Sequence, residues 1–222
     1  MKLGIDIDGC LANFTHAFGD LLISTTGENK LPDNWRTSEN FPATWNWHYD
    51  AGYTPDQVHR VWVGMVEGGG KFWRDLPALP TAEATIKQLD RLSKAGHEVY
   101  FLTHRSGKKA KQQTENWLID HGMTMPTVLL TGNKLPVMVS LELDFFIDDK
   151  LATVNEIYRH YSDPNAPKPA NSPVILLKDA PYNWRGRVQG LRSVHTVEEG
   201  LREIGLWSDV KRGRPKKEKN DD

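Results

Sequence analysis

The chain has 222 residues, with 28 Lys and Arg against 29 Asp and Glu and a formal net charge of −1. That balance gives no global attraction to nucleic acid or to a membrane surface. No apolar run approaches the roughly 20 residues of a membrane-spanning helix. Cys10 is the single cysteine, which excludes an internal disulfide framework and suits a reducing compartment. Asp6 and Asp8 follow Met1 too closely for a secretory hydrophobic segment, so the expected location is cytoplasmic. The length suffices for one well-cored domain with a substantial insertion.

The first element is an expected strand, Lys2 to Cys10, whose apolar residues lead into Asp6 and Asp8 and then Gly9. In an extended strand the i, i+2 spacing puts both carboxylates on one face, with Ile5 and Ile7 on the other. Two like charges this close raise each other's pKa unless a cation sits between them. An Asp-Gly turn closing a strand is the plain reading. The functional one is a hard-cation site in which one carboxylate is also a nucleophile.

Leu11 to about Leu22 carries apolar residues at helical spacing (Leu11, Phe14, Ala17, Phe18, Leu21, Leu22). From about Ser24 to Asp75 the chain is loop-rich and aromatic, with five of the eight tryptophans: Trp35, Trp45, Trp47, Trp62 and Trp73. Within it a helix is expected from an N-cap at Thr54, with Pro55 at its first position, to about Glu67. Gly68-Gly69-Gly70 ends it.

After Pro80 the rhythm changes. Thr81 can cap a helix closed by Gly96, followed by a strand from His97 to Thr103. A helix is expected from Lys108 to His121, then a strand at Thr127–Thr131 and a short strand at Phe145–Ile147 ending in Asp148-Asp149. A helix from Leu151 to about Tyr161, a strand at Val174–Leu177 and a helix from Val197 to Ile204 complete the chain. Apolar strands alternating with helices mean βαβ units and a parallel sheet covered on both faces. Ligands of such sheets sit beyond the carboxyl ends of the strands. Asp8, Thr103 and the Asp148-Asp149 pair each close a strand, so they converge on that edge. Asp144 falls at the opposite end of its strand and is not counted.

Asp6 to Cys10 (D-x-D-G-C), the strand ending in Thr103, Lys134 and Asp148-Asp149 resemble, in order and spacing, the four motifs of the haloacid dehalogenase (HAD) superfamily. Asp8-Gly9-Cys10-Leu11-Ala12-Asn13-Phe14 is similar to the start of the 5′(3′)-deoxyribonucleotidases within it. So are Phe72 to Pro80, Leu143 to Asp149, and Asp179-Ala180-Pro181-Tyr182-Asn183. Cys10, Asn13, Thr81 and Leu143 depart from that pattern without removing a charge from the reaction centre.

The resemblance implies an α/β fold: a HAD-like Rossmannoid parallel sheet with helices on both faces and a small helical cap inserted after the first strand. Residues 1–13 and 76–210 form the core, 14–75 the aromatic-rich cap, and 211–222 a disordered basic tail. It implies a Mg²⁺-dependent phosphatase acting on nucleoside monophosphates. Asp6 is then the nucleophile, and Asp8 the acid for the leaving oxygen and the base for water. The metal falls to Asp6, Asp148 or Asp149 and the Asp8 carbonyl, because Mg²⁺ takes one or two carboxylates with phosphate and water. Thr103 and Lys134 serve the phosphoryl oxygens, and Lys134 also keeps Asp6 ionised. Phe14 and Phe72, then Trp73, Trp45 and Trp47, are candidates for stacking on a base.

Each residue has a plainer reading. Thr103 ends a strand, Lys134 is a solvated turn lysine, and Asp148-Asp149 cap the next helix. Arg105 binds phosphate or lies in solvent, and the aromatics build a small satellite core. Arg212-Gly213-Arg214-Pro215 resembles an AT-hook, so weak DNA contact through 211–217 competes with a solvated charge run. Two further functions stay open: a HAD phosphatase for nucleic-acid terminal phosphates or another small phosphomonoester, and a non-catalytic DNA-binding or scaffolding HAD protein.

Overall fold

A computed structural model describes residues 1–67, 70–165 and 172–207. The basic tail and its AT-hook-like segment lie outside the described residues, as do Gly68 and Gly69.

In chain order the elements are β1 (Lys2–Ile5), α1 (Phe14–Thr26), α2 (Trp47–Asp50), α3 (Pro55–Glu67), α4 (Ala82–Lys94), β2 (Glu98–Thr103) and α5 (Ala110–Asp120). Then follow β3 (Thr127–Leu130), α6 (Lys134–Leu141), β4 (Phe145–Asp148), α7 (Leu151–Ser162), β5 (Val174–Lys178), β6 (Arg192–Val194) and α8 (Val197–Glu203). The strands form one parallel sheet in the order β3-β2-β1-β4-β5-β6. The chain winds outward to one side through β2 and β3, then crosses to β4 on the other side of β1. The reversal leaves a crevice beside the carboxyl end of β1, where open α/β sheets bind ligands.

Alternation along each strand feeds two apolar layers. Leu3, Ile5, Phe101, Phe145, Ile147 and Leu176 pack with Ile86 and Leu89 of α4, Trp117 of α5 and Leu201 of α8. Leu102, Phe146, Ile175 and Leu177 pack on the other face with Met138 of α6 and Val154 and Ile157 of α7. Gly4 in central β1 leaves room for Leu143, whose Cδ1 would lie 2.5 Å from any Cβ placed there.

Several segments depart from the expected elements. β1 stops at Ile5, because the amides of Cys10, Leu11 and Ala12 all turn back onto the Ile7 carbonyl and Gly9 adopts φ +81°. Asp6 therefore lies in the first residue after the strand, its amide still bonded to the Ile147 carbonyl at 3.0 Å, and Asp8 lies in the turn. The first helix starts at Phe14, not Leu11, because the Asn13 side chain caps it by accepting from the His16 amide. Helix α6 and strand β6 were not expected from periodicity. Leu135 to Leu141 is apolar on almost every side, which hides a helical face, and β6 spans only three residues.

The insertion between β1 and α4 is helical where expected. Thr54 and Gln57 form a reciprocal cap on α3, each side chain accepting from the other's backbone amide. Its aromatics are not a separate satellite: Phe18, Trp35, Trp47 and Trp73 belong to the same continuous apolar cluster as the α4 face of the sheet.

Candidate active site

Four chain segments meet at the carboxyl ends of β1, β2 and β4. Thr103 ends β2 and Asp148 ends β4, while Asp6 follows β1 directly. Lys134 is the first residue of α6, carried in by the loop after β3. Its ammonium donates to Asp6 Oδ1 and to Asp148 Oδ2, both at 2.6 Å. The cation thus sits between Asp6 and Asp148, not between Asp6 and Asp8, and Lys134 is no turn lysine: its side chain is only 7% exposed. Burial alone pulls an ammonium pKa down, but the attraction of Asp148 and Asp6 outweighs it and the Lys134 pKa rises.

One cation does not balance this cluster. Burial pushes the Asp6 pKa well up; Lys134 opposes the rise, and Asp148, Asp149 and Asp8 add to it. Asp149, buried beside Asp148, is pushed up to about 7. The Tyr182 hydroxyl donates to Asp149 Oδ2 and restrains that rise. Tyr182 stands in a short 3₁₀ turn, Pro181–Asn183, fixed by Asn183 Nδ2 donating to the Asp149 and Lys178 carbonyls at 2.8 Å each. Gly9 is required where it is, since a Cβ there would sit 2.0 Å from Asp149 Oδ2. Asp148 also accepts from the Lys150 amide through Oδ1 at 2.7 Å, which fixes its carboxylate in the turn before α7, although α7 has no side-chain cap.

A surplus of buried negative charge made of hard oxygen ligands fits a divalent cation. Asp6 and Asp149 approach each other and Cys10 closely enough to hold one, with ligand atoms within 4.8 Å. The Cys10 thiol is pushed well up by burial, then by Asp149 and Asp6, and stays protonated beside them.

Asp8 is held apart from that cluster. Arg105, expected to meet phosphate or solvent, does not lie in solvent: its buried guanidinium grips Asp8, Nε to Oδ2 at 2.9 Å and Nη2 to Oδ1 at 2.7 Å. Thr103 Oγ1 lies 3.3 Å from the same Oδ2.

A cavity of about 310 Å³ opens over these groups. Its floor holds Asp6, Asp8, Thr103, Lys134, Asp148 and Asp149; its wall holds Phe14, Trp45, Trp47 and Trp73. Phe72 is not on that wall, because Trp73 anchors its indole Nε1 to the Ser106 carbonyl at 3.0 Å and Phe72 packs edge-on against it and Phe14. Sequence reasoning missed Thr15, Phe18, His48, Trp62, Lys150 and Tyr182, which also line the cavity. Burial lowers the His48 pKa and favours its neutral imidazole. For Tyr182 the signal was the Asp179–Asn183 motif, which carried a likeness but no role.

The first 162 residues match the family described as 5′ nucleotidase, deoxy (Pyrimidine), cytosolic type C protein. The chain belongs to that family. This nucleotidase is 26% identical over 163 residues to a Bacillus cereus protein named "Putative nucleotidase", covering 71% of this chain and 80% of that one. A second protein of similar name from Oceanobacillus iheyensis is 26% identical over 141 residues, 57% and 67% of the two chains. Among solved structures, a hydrolase from Pseudomonas syringae superposes with a TM-score of 0.52 at 16% identity over 94% of this chain and 100% of that one. A "putative HAD-hydrolase" of Bacillus subtilis, described as bound to magnesium, gives 0.51 at 13% over 91% and 97%. The enzyme is a phosphatase, and its fold is the expected α/β architecture shared with these hydrolases. Among the described residues no helix is long and apolar enough to cross a membrane.

Removing the cation tests the electrostatics of the nucleotidase. Lys134→Met leaves buried carboxylates uncompensated and is expected to cost about 3–5 kcal/mol of stability at pH 7.5. Carboxyls whose folded pKa is raised keep protons that the unfolded chain has lost, so their contribution to stability falls as pH rises from about 4 through 7. The loss in Lys134→Met is therefore expected to shrink at pH 5, measured by urea unfolding at both pH values. An equal loss at both would place the stabilising role of Lys134 elsewhere.

Proposed function

We propose that this phosphatase is a Mg²⁺-dependent 5′-nucleotidase that hydrolyses nucleoside monophosphates, deoxyribonucleotides among them, through a phosphorylated Asp6. The observation that carries the proposal is one cavity with two unlike ends: acidic groups and a lysine on its floor, tryptophan and phenylalanine on its wall. A phosphomonoester needs its anionic charge neutralised and its phosphorus held in line with a nucleophile. A nucleobase offers a flat face that stacks on aromatic rings. Residues 14–75 then act as a cap over the core of 1–13 and 76–210.

Asp6 Oδ1 accepts from Lys134, which leaves Oδ2 without a hydrogen bond among the described residues and available to attack phosphorus. The P–O bond to the nucleoside breaks as the leaving oxygen takes a proton from Asp8. Water, deprotonated by Asp8, then attacks phosphorus and releases Asp6 and inorganic phosphate. Thr103 and Lys134 border the floor where the phosphoryl oxygens lie. Asp6, Asp148 and Asp149 would hold the metal, which when bound neutralises phosphoryl charge.

Two measurements test this reading. Trp45 lines the cavity yet is 51% exposed, so its loss leaves the core intact. Trp45→Ala is expected to remove about 1–3 kcal/mol of base stacking, a roughly 5- to 150-fold fall in kcat/KM on nucleoside monophosphates. Ribose 5-phosphate, with no base to stack, is expected to be unaffected. Equal losses on both, or faster wild-type release from phosphorylated oligonucleotides than from nucleotides, would overturn the substrate assignment.

The second measurement concerns the metal. Cation binding must displace protons from carboxyls whose pKa burial raises, Asp6 well above its usual range and Asp149 to about 7. Mg²⁺ is therefore expected to raise Tm more at pH 7.5 than at pH 5, by differential scanning calorimetry. A gain that is equal, or larger at pH 5, would contradict a metal bound by these carboxylates.

A further inference from the structure

The side chain of Arg105 is wholly buried, unusual for a guanidinium, and the cavity does not include it among its lining residues. Every contact it makes serves to fix it. Nε and Nη2 form a fork onto the two oxygens of Asp8, and Nη1 donates to Thr114 Oγ1 at 3.0 Å and lies 3.5 Å from the Trp73 carbonyl. Thr114 is itself tied back to the Ala110 carbonyl at 2.7 Å within α5. The guanidinium also lies over the Trp73 ring, 5.0 Å from its centroid. Buried donors fixed on three sides cannot wander, and a planar fork matches a carboxylate in one orientation only.

A carboxylate offers about four lone-pair positions on two oxygens. On Asp8, Oδ2 takes Arg105 Nε and faces Thr103 Oγ1, whereas among the described residues Oδ1 takes only Arg105 Nη2. The Asp8 side chain is 20% exposed and borders the cavity, so its one uncommitted lone pair is on Oδ1 and within reach of a bound substrate. We propose that Arg105 is the positioning residue of this enzyme, locking Asp8 so that Oδ1 is the atom that gives the proton to the leaving oxygen and takes it back from water. The inference rests on the phosphatase reading above. It assigns Arg105 no contact with phosphate.

The two steps make different demands on Asp8. In the first, Asp6 Oδ2 bonds to phosphorus, the P–O bond to the leaving group breaks, and the proton on Asp8 Oδ1 goes to the departing oxygen. In the second, the water oxygen bonds to phosphorus, its proton passes to Asp8 Oδ1, and the Asp6–phosphorus bond breaks. p-Nitrophenolate leaves without needing a proton, so a displaced Asp8 spares the first step for that substrate and slows the second.

The experiment is stopped-flow and steady-state kinetics of Arg105→Lys, which keeps the charge and loses the fork, beside Thr114→Val, which removes one anchor of the guanidinium. With a nucleoside 5′-monophosphate, kcat for Arg105→Lys is expected to fall about 100-fold or more, within the range of acid–base catalysis, with KM little changed. With p-nitrophenyl phosphate, a burst approaching one p-nitrophenolate per enzyme is expected before slow turnover. Thr114→Val is expected to give the same pattern more weakly, and it stands as the test if Arg105→Lys does not fold. A raised KM with weaker inhibition by inorganic phosphate would make Arg105 a phosphate ligand and overturn the proposal. Equal slowing of both substrates with no burst and a lowered Tm would make it structural and overturn it too. If the wild-type enzyme turns over neither phosphate ester, the phosphatase reading has failed, which is a separate outcome.

Discussion

The ammonium of Lys134, set between Asp6 and Asp148 at 2.6 Å from each, is the interaction on which the rest of this site depends. Three carboxylates at the ends of β1 and β4 repel one another in a medium that solvates none of them. Without a cation they would take up protons, and a protonated Asp6 is no nucleophile. The lysine offsets part of that charge and leaves the remainder. The elevated pKa of Asp149, about 7, records the part that is unbalanced. Under the proposed function such a site would take a divalent cation and a phosphoryl group together: the first supplies missing positive charge, the second needs it.

Each carboxylate has a partner of its own, and the partners sort the roles. Asp6 and Asp148 share the lysine, Asp149 is held by the Tyr182 hydroxyl, and Asp8 is held by the Arg105 fork. A lysine is a compact charge that two oxygens can share, which suits a nucleophile that must keep one oxygen free. Arginine fixes a plane, which suits a group that must hand over a proton in a set direction. Tyr182 adds a link across the cavity, because its ring packs edge-on against Trp45 of the insertion at 5.6 Å. The aromatic wall and the acidic floor of the cavity are therefore joined through one residue.

Much of this was legible in the sequence. Apolar strands alternating with helices gave the parallel sheet, and the positions of Thr103 and Asp148 at strand ends gave the edge where the site lies. Asp8 was misplaced onto a strand because D-x-D alternation looks extended, whereas the Ile7 carbonyl collects three amides and turns the chain there. The pairing of Arg105 with Asp8 was not legible because nothing local distinguishes an arginine that meets solvent from one buried against a carboxylate 97 residues away. Tyr182 was invisible as a partner for the same reason: Asp149 lies 33 residues earlier, and only the return of β5 beside β4 joins them. Aromatic composition gave the character of the cavity wall but not its membership. Phe72 and Trp73 are adjacent and equally apolar, and one indole hydrogen bond decides which of them faces the cavity.

The central claim is that Asp6, paired with Lys134, forms a bond to phosphorus. The most direct measurement is to quench the enzyme during turnover of p-nitrophenyl phosphate, reduce it with borohydride and sequence the labelled peptide by mass spectrometry. Borohydride converts an aspartyl phosphate to homoserine and leaves free carboxylates unchanged. The account predicts homoserine at the position of Asp6 and at no other carboxylate, increased in Arg105→Lys, where breakdown of the intermediate is slowed. Reduction at Asp8 or Asp149, or none in either enzyme while p-nitrophenolate is being released, would contradict it.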